Sequence, residues 1–221
     1  LGMKSLNYSA SLFMEDGEEE EEPGRFEKWL QKKFGDKAEK VIMDLTMVIS
    51  IILAMGIFMV FPTWVSTLMK PLLGNGIWMA LFEGVLRIAI FIAYVGLISL
   101  MPDIKRTYMY HGAEHKCINC IEHGHELTVE NVKKASRLHK RCGTSFLLFV
   151  MLVSVVLFIF IQVQSPILRV VLRIVLIPVI AGISYEIIRL AGSTNNIIVR
   201  ILSAPGMWLQ RLTTKEPDES M

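Results

Sequence analysis

In 221 residues with 52% hydrophobic content and a mean hydropathy of +0.47, apolar runs of about 20 residues or more recur with almost no charge, which excludes a soluble globular domain and indicates an integral membrane protein. The formal net charge of +2 is uninformative. Lys and Arg gather in a few short segments, a distribution that bears on orientation in a bilayer and argues against nucleic acid as a partner.

The chain opens on Leu1 without an initiator methionine, as the remainder of a longer precursor would, and Leu6–Met14 is too short and mixed for a secretory signal. Residues 1–40 read as an N-terminal segment at the membrane surface. Within it, Leu1–Met14 suits a short amphipathic helix, and Glu18–Glu22 with Pro23 and Gly24 a solvated linker, since a block of like charges cannot pack. Arg25–Lys40 reads as a basic amphipathic lead-in, with Phe26, Trp29, Leu30 and Phe34 opposite Lys28, Lys32, Lys33 and Lys37.

Four stretches then have spanning length. Leu45 to about Phe61 is expected to end or kink at Pro62, which cannot donate to the preceding turn. Ile77–Met101 carries Glu83 and Arg87, Thr144–Leu168 carries no charge, and Ile167–Ala191 carries Arg169, Arg173, Glu186 and Arg189 and is interrupted by Pro178. Short connections at 62–76 and 164–168 pair them into two hairpins, over 41–101 and 144–191, on either side of a polar loop over 102–143. Residues 192–221 read as an interfacial helix and tail. There Ile197, Ile198, Ile201 and Leu202 oppose Arg200 and Arg211, Pro205 and Gly206 break the helix, and Trp208 anchors it at the interface. The expected fold is all-α: a polytopic helical membrane protein of about four spans with a polar helical loop and flanking amphipathic helices.

Orientation follows from the basic residues beside the spans. Arg25, Lys28, Lys32, Lys33, Lys37 and Lys40 precede the first, and Lys105, Arg106, Lys116, Lys133, Lys134, Arg137, Lys140 and Arg141 fill the polar loop, against Lys70 and Arg169 on the other side. The positive-inside rule places both termini and the loop in the cytoplasm, on the inner face of a plasma membrane. That compartment is reducing, so its cysteines are thiols or metal ligands.

All five histidines (His111, His115, His123, His125, His139) and all three cysteines (Cys117, Cys120, Cys142) lie between His111 and Cys142. Tyr110 to about Cys120 is expected to prolong the second span as a helix, with Gly112 weakening it by about 1 kcal/mol relative to alanine. His111, Glu114 and His115 then share one helical face. Leu127–Lys140 reads as a second helix, capped by Thr128, carrying His139 and delivering Cys142 to the third span. Two metal patterns overlap. HGAEH is H-x-x-E-H, in which two histidines one turn apart hold Zn²⁺ and the glutamate takes a proton from water. Alternatively, Cys117-x-x-Cys120 with His139-x-x-Cys142 is spaced like a closed structural zinc site. His123 and His125 suit an exposed turn.

The run YHGAEHK, then NC, LTVENV and SRLHKRCGTSF, with EG and R in the second span, PDI after it and APGMWLQRLTTKEPD near the end, resembles the YqhQ family of bacterial membrane proteins. The resemblance covers nearly the whole chain, and Tyr110–Phe146 is its most specific part. It implies a metal-dependent enzyme, with His111, Glu114, His115, Cys120, Glu122, Arg137, His139 and Cys142 at matching positions. Cys117 falls where the family commonly has other residues such as Thr. The ligand set the resemblance implies is therefore His111, His115, His139 and Cys142 with Cys120 and Glu122, and Glu114 is the base.

The charges within the spans point to another class of function. Glu83 and Arg87 stand one turn apart and can pair, and Arg173, Glu186 and Arg189 lie in the fourth span; such pairs dock helices, or line a polar cavity or pore. Arg169, Arg173 and Arg189 are expected to snorkel to the interfaces. The leading reading is a zinc-dependent hydrolase at the membrane face. Its rival is a homo-oligomeric channel in which the loop is structural or regulatory, since four spans are few for a conducting path in one chain.

Overall fold

A computed structural model describes residues 38–221 except 75, 162, 164, 194, 195, 219 and 220, together with Tyr8, Lys32, Lys33 and Gly35. The expectations for the surface helix over 1–14, the acidic linker and the basic lead-in fall almost wholly outside the described residues. Among those described there is no strand. Residues 1–54 and 55–221 form two compact units. In the first, helix α1 (Ala38–Met55) presents Val48, Ile49, Ile51, Ile52 and Leu53 at its surface, the side chains that lipid tails solvate.

The second unit opens on a π-helical stretch (Gly56–Val60) and α2 (Phe61–Leu68). Of the two outcomes expected at Pro62, an end or a kink, the helix does not end there. The proline offers no N–H and its ring crowds the carbonyl one turn back, but the wider π turn, in which the Phe61 N–H reaches Gly56 O, shifts the ladder there. The apolar helix therefore continues from Lys40 to Leu68, 29 residues. A short helix α3 (Lys70–Leu73) leads to α4 (Ile77–Ile98). The next helix, α5 (Pro102–Glu122), is a new element and not a prolongation of α4: Pro102 starts it at the position where a missing N–H costs nothing, with Asp103 in the first turn.

After α6 (Val129–Lys134) the chain enters α7 (Gly143–Phe160), which stops well short of Leu168. Ser165 and Pro166 start a separate helix there, α8 (Pro166–Val175), the Ser165 hydroxyl accepting from Leu168 N. α8 and α9 (Ile177–Ser193) meet at Leu176 at 50°, with Pro178 just past the bend. The last helix is α10 (Ile197–Thr213). Among the described residues three helices are long and apolar enough to cross a membrane, or four if the bent pair is one span, in keeping with the polytopic helical fold read from the sequence.

α7 is the common neighbour of α4, α9 and α10. α10 runs unbroken through Pro205, where the sequence suggested a break, because packing outweighs the roughly 3 kcal/mol that an interior proline costs. Ser203, Gly206, Leu209, Gln210 and Thr213 form one buried stripe. At Gly206 the helices touch so closely that a Cβ would lie 2.7 Å from Ser145 Oγ.

Candidate metal centre

α5 brings its polar residues to bear on an extended segment. The helix expected over Leu127–Lys140 stops at Lys134, although Thr128 caps it as anticipated, its hydroxyl accepting from Asn131 N. From Ala135 to Cys142 the backbone is not helical, and its carbonyls find side-chain donors instead. Asn119 Nδ2 donates to Ser136 O (2.6 Å) and Leu138 O (3.0 Å), and His115 Nδ1 lies 2.7 Å from Arg137 O. Lys116 Nζ donates to Lys133 O at the end of α6. From α10, Gln210 clasps His139 on both sides, accepting from its N–H (2.8 Å) and donating to its C=O (2.7 Å), while also donating to Ser145 Oγ (2.7 Å).

The chain after α10 crosses α5 at Gly112. Lys215 N donates to Tyr108 O at 2.9 Å, and Lys215 O occupies the space a Cβ on residue 112 would need. Glycine there is the condition for this crossing, not merely a weak helix former. The crossing puts Thr213 O 2.9 Å from His111 Nδ1, and Glu216 pairs with Lys116.

Three donors converge at this junction. Ligand atoms of His111, His115 and Cys142 lie within 4.8 Å of one another, and among the described residues theirs is the group so placed. His111 and His115 come from successive turns of α5, their rings 4.4 Å apart; Cys142 is the N-cap of α7, accepting from Thr144 N at 3.4 Å. His115 and Cys142 are buried and His111 half-buried. Each histidine spends Nδ1 on a backbone carbonyl, which makes that nitrogen the N–H and leaves Nε2 its lone pair. Cys142 Sγ lies 3.4 Å from His111 Nε2. Tetrahedral zinc, with bonds of about 2.3 Å to sulfur and 2.0–2.1 Å to nitrogen, separates two such atoms by about 3.5 Å, the spacing this sulfur and nitrogen have.

The electrostatics agree with the geometry. Burial pushes the Cys142 thiol up, but its hydrogen bonds with His111, His115 and Thr144 outweigh it and bring the pKa down to about 5. The hydrogen bond with Cys142 raises His111 against its own burial, helped by Thr213 O and the charge of Glu114. A divalent ion would take the place of the proton the two share.

The other expected ligands do not join this group. Cys120 is buried, but its thiol faces the carbonyls of His125 and Glu126 at 3.9 and 3.5 Å. His139 is buried beside His115 with both nitrogens engaged: Nδ1 accepts from Arg141 N (3.3 Å) and Nε2 lies 3.1 Å from Glu122 Oε2. That bond, with Arg141 also on the carboxylate, holds Glu122 below the usual carboxyl range. Glu114 is exposed on the His111 and His115 side of α5. Cys117 is half-exposed, His123 bonds Asn119 O, and His125 is exposed. Sequence reasoning passed over Asn119, Gln210 and Thr213; the available signal was Gln210, an uncharged polar residue on the buried stripe of an amphipathic helix.

A second polar group sits among the spans. Glu83 is 1% exposed and faces three arginines: Arg87 at 3.5 Å, Arg169 at 3.3 Å, and Arg173, which also bonds Thr63. Arg169 and Arg173 are thus buried and do not snorkel. Glu186 and Arg189 pair at 2.9 Å on the surface of α9.

The family model described as "Protein of unknown function (DUF1385)" matches residues 1–221. The chain is 36% identical over 219 residues to the "Uncharacterized protein YqhQ" of Bacillus subtilis, covering 99% of this chain and 68% of that one. No solved structure matches it.

Proposed function

Since this chain belongs to the DUF1385 family, whose function is unknown, kinship supplies no chemistry, and we propose from its geometry that it is a zinc-dependent hydrolase working at the membrane face. One observation carries the reading: His111 and His115 hold their Nδ1 atoms on Thr213 O and Arg137 O, and so turn two Nε2 lone pairs toward the Cys142 sulfur. Carbonyl-anchored imidazoles are the usual supporting arrangement for metal-bound histidines. Zinc on three protein donors keeps a fourth position for exchange and supplies Lewis acidity and an acidified water.

The chain's own residues would do the rest. Glu114, exposed and one residue from His115, is the group available to take a proton. The Gln210 clasp fixes the segment that carries Cys142. The basic residues of the loop, Lys105 to Arg141, support a cytosolic site on a bacterial plasma membrane. The alternative, a homo-oligomeric channel, draws on the charges in the spans, but Glu83 meets its arginines within one chain and not across a lumen.

The test is elemental analysis of the purified full chain. We expect about one Zn²⁺ per chain, lost in His111→Ala/His115→Ala and in Cys142→Ala. Glu114→Gln should keep the metal and lower hydrolysis of ester, peptide or phosphoester reporters by about a hundredfold or more. Folded protein without bound metal after growth in zinc would end the proposal.

A further inference from the structure

The Glu83 group holds three guanidiniums against one carboxylate, a formal excess of two positive charges among membrane-spanning helices. The partners given above do not use all the donors. Arg87 Nε and Nη2 and Arg173 Nε are buried with no hydrogen-bond acceptor, and the two residues are only 8% and 5% exposed. Arg87 stands ten residues into a 22-residue helix, about 15 Å along its axis from either end; its side chain cannot reach an interface. Both arginines share the one Glu83 carboxylate, but guanidinium donors left without an acceptor at that depth, and charge in excess of its counter-ion, are costly and mark a ligand or pathway.

Both arginines line one cavity of about 290 Å³ between α4, α7, α8, α9 and the π-helical stretch. Its other walls are mostly apolar, among them Phe91, Val150, Phe158 and Ile180, with the Arg173 guanidinium 5.1 Å from the Phe158 ring centroid. Two cations with spare donors at one place, and hydrocarbon elsewhere, describe a ligand with an oxyanion at one end and an acyl chain behind it.

We propose that this cavity binds an anionic amphiphile drawn from the bilayer, its phosphate or carboxylate on Arg87 and Arg173 and its chain along the apolar wall. The site is separate from the zinc reading and does not depend on it. Arg87 and Arg173 supply the charge-assisted hydrogen bonds; Glu83 holds the arginines together without neutralising them.

Equilibrium binding to the purified full chain in neutral detergent tests this with three labelled probes: dioleoyl phosphatidic acid, oleate and inorganic phosphate. Saturable binding of phosphatidic acid or of oleate is expected, and whichever binds tighter identifies the headgroup as phosphate or carboxylate. Inorganic phosphate should bind at least a hundredfold more weakly. Arg87→Gln should weaken the amphiphile tenfold or more. Val150→Trp, which fills the cavity and leaves every arginine, should do the same, and it decides the matter if the Arg87 variant fails to fold by circular dichroism. No saturable binding of either amphiphile, phosphate binding as tight as theirs, or a folded Val150→Trp protein that binds like the wild type would each overturn the proposal.

Discussion

Replacing Gln210 by leucine removes the clasp on His139 while keeping a side chain of similar bulk in a fully buried position. Three hydrogen bonds go with it: two to the His139 backbone and one to Ser145 Oγ. At about 1 kcal/mol net per bond, and with the His139 N–H and C=O left buried and unpaired, the loss is roughly 3–4 kcal/mol; the Ser145 hydroxyl escapes part of it by turning to a carbonyl of its own helix. Ser145→Ala alone should cost about 1 kcal/mol, and less in the Gln210→Leu background, where its partner has already gone. The assay is an SDS titration of the purified protein followed by helical circular dichroism, with zinc affinity measured by competition against a chromogenic chelator. Because Cys142 lies three residues beyond His139, affinity should fall by about ten- to a hundredfold. A Gln210→Leu protein within about 0.5 kcal/mol of wild type, with unchanged zinc affinity, would refute the idea that α10 positions the site.

Metal uptake should depend on pH through His111: binding needs the neutral imidazole, His111 is raised above 6.5, and Cys142 at about 5 is already thiolate. Affinity therefore falls as pH is lowered through a range beginning above 6.5, read by chelator competition across pH. Gly112→Ala drives a methyl group into Lys215 O, so we expect a cost of about 1–3 kcal/mol and faster proteolysis of the tail beyond Thr213. Arg189→Gln, in a pair whose members are 66% and 52% exposed, should change stability by less than about 0.5 kcal/mol. Impermeant maleimide should label half-exposed Cys117 in inverted vesicles and not in intact cells; labelling from outside reverses the orientation.

Much of the helical architecture was legible because apolar runs of spanning length have few alternatives. The H-x-x-E-H spacing likewise sets His111 and His115 on one helical face. What stayed hidden depended on distant partners. Ala135–Cys142 has no local feature forbidding a helix; it is extended because Asn119, His115 and Gln210 offer its carbonyls better partners. Glu83 showed only its neighbour Arg87, since Arg169 lies 86 residues away. Pro62 and Pro205 read as breaks, which they are locally, until a π turn and a buried stripe absorb them.

The strap across Gly112 sets an order of events. His111 leaves the ribosome long before Thr213, its anchor 102 residues later, and the intervening helices must be threaded into the bilayer while that imidazole has no fixed orientation. His115 differs, because its anchor at Arg137 O follows only 22 residues later. If the centre holds zinc as proposed, its completion waits until synthesis has passed Thr213, and a nascent chain arrested earlier, or a product clipped before that residue, would lack the carbonyl that orients His111.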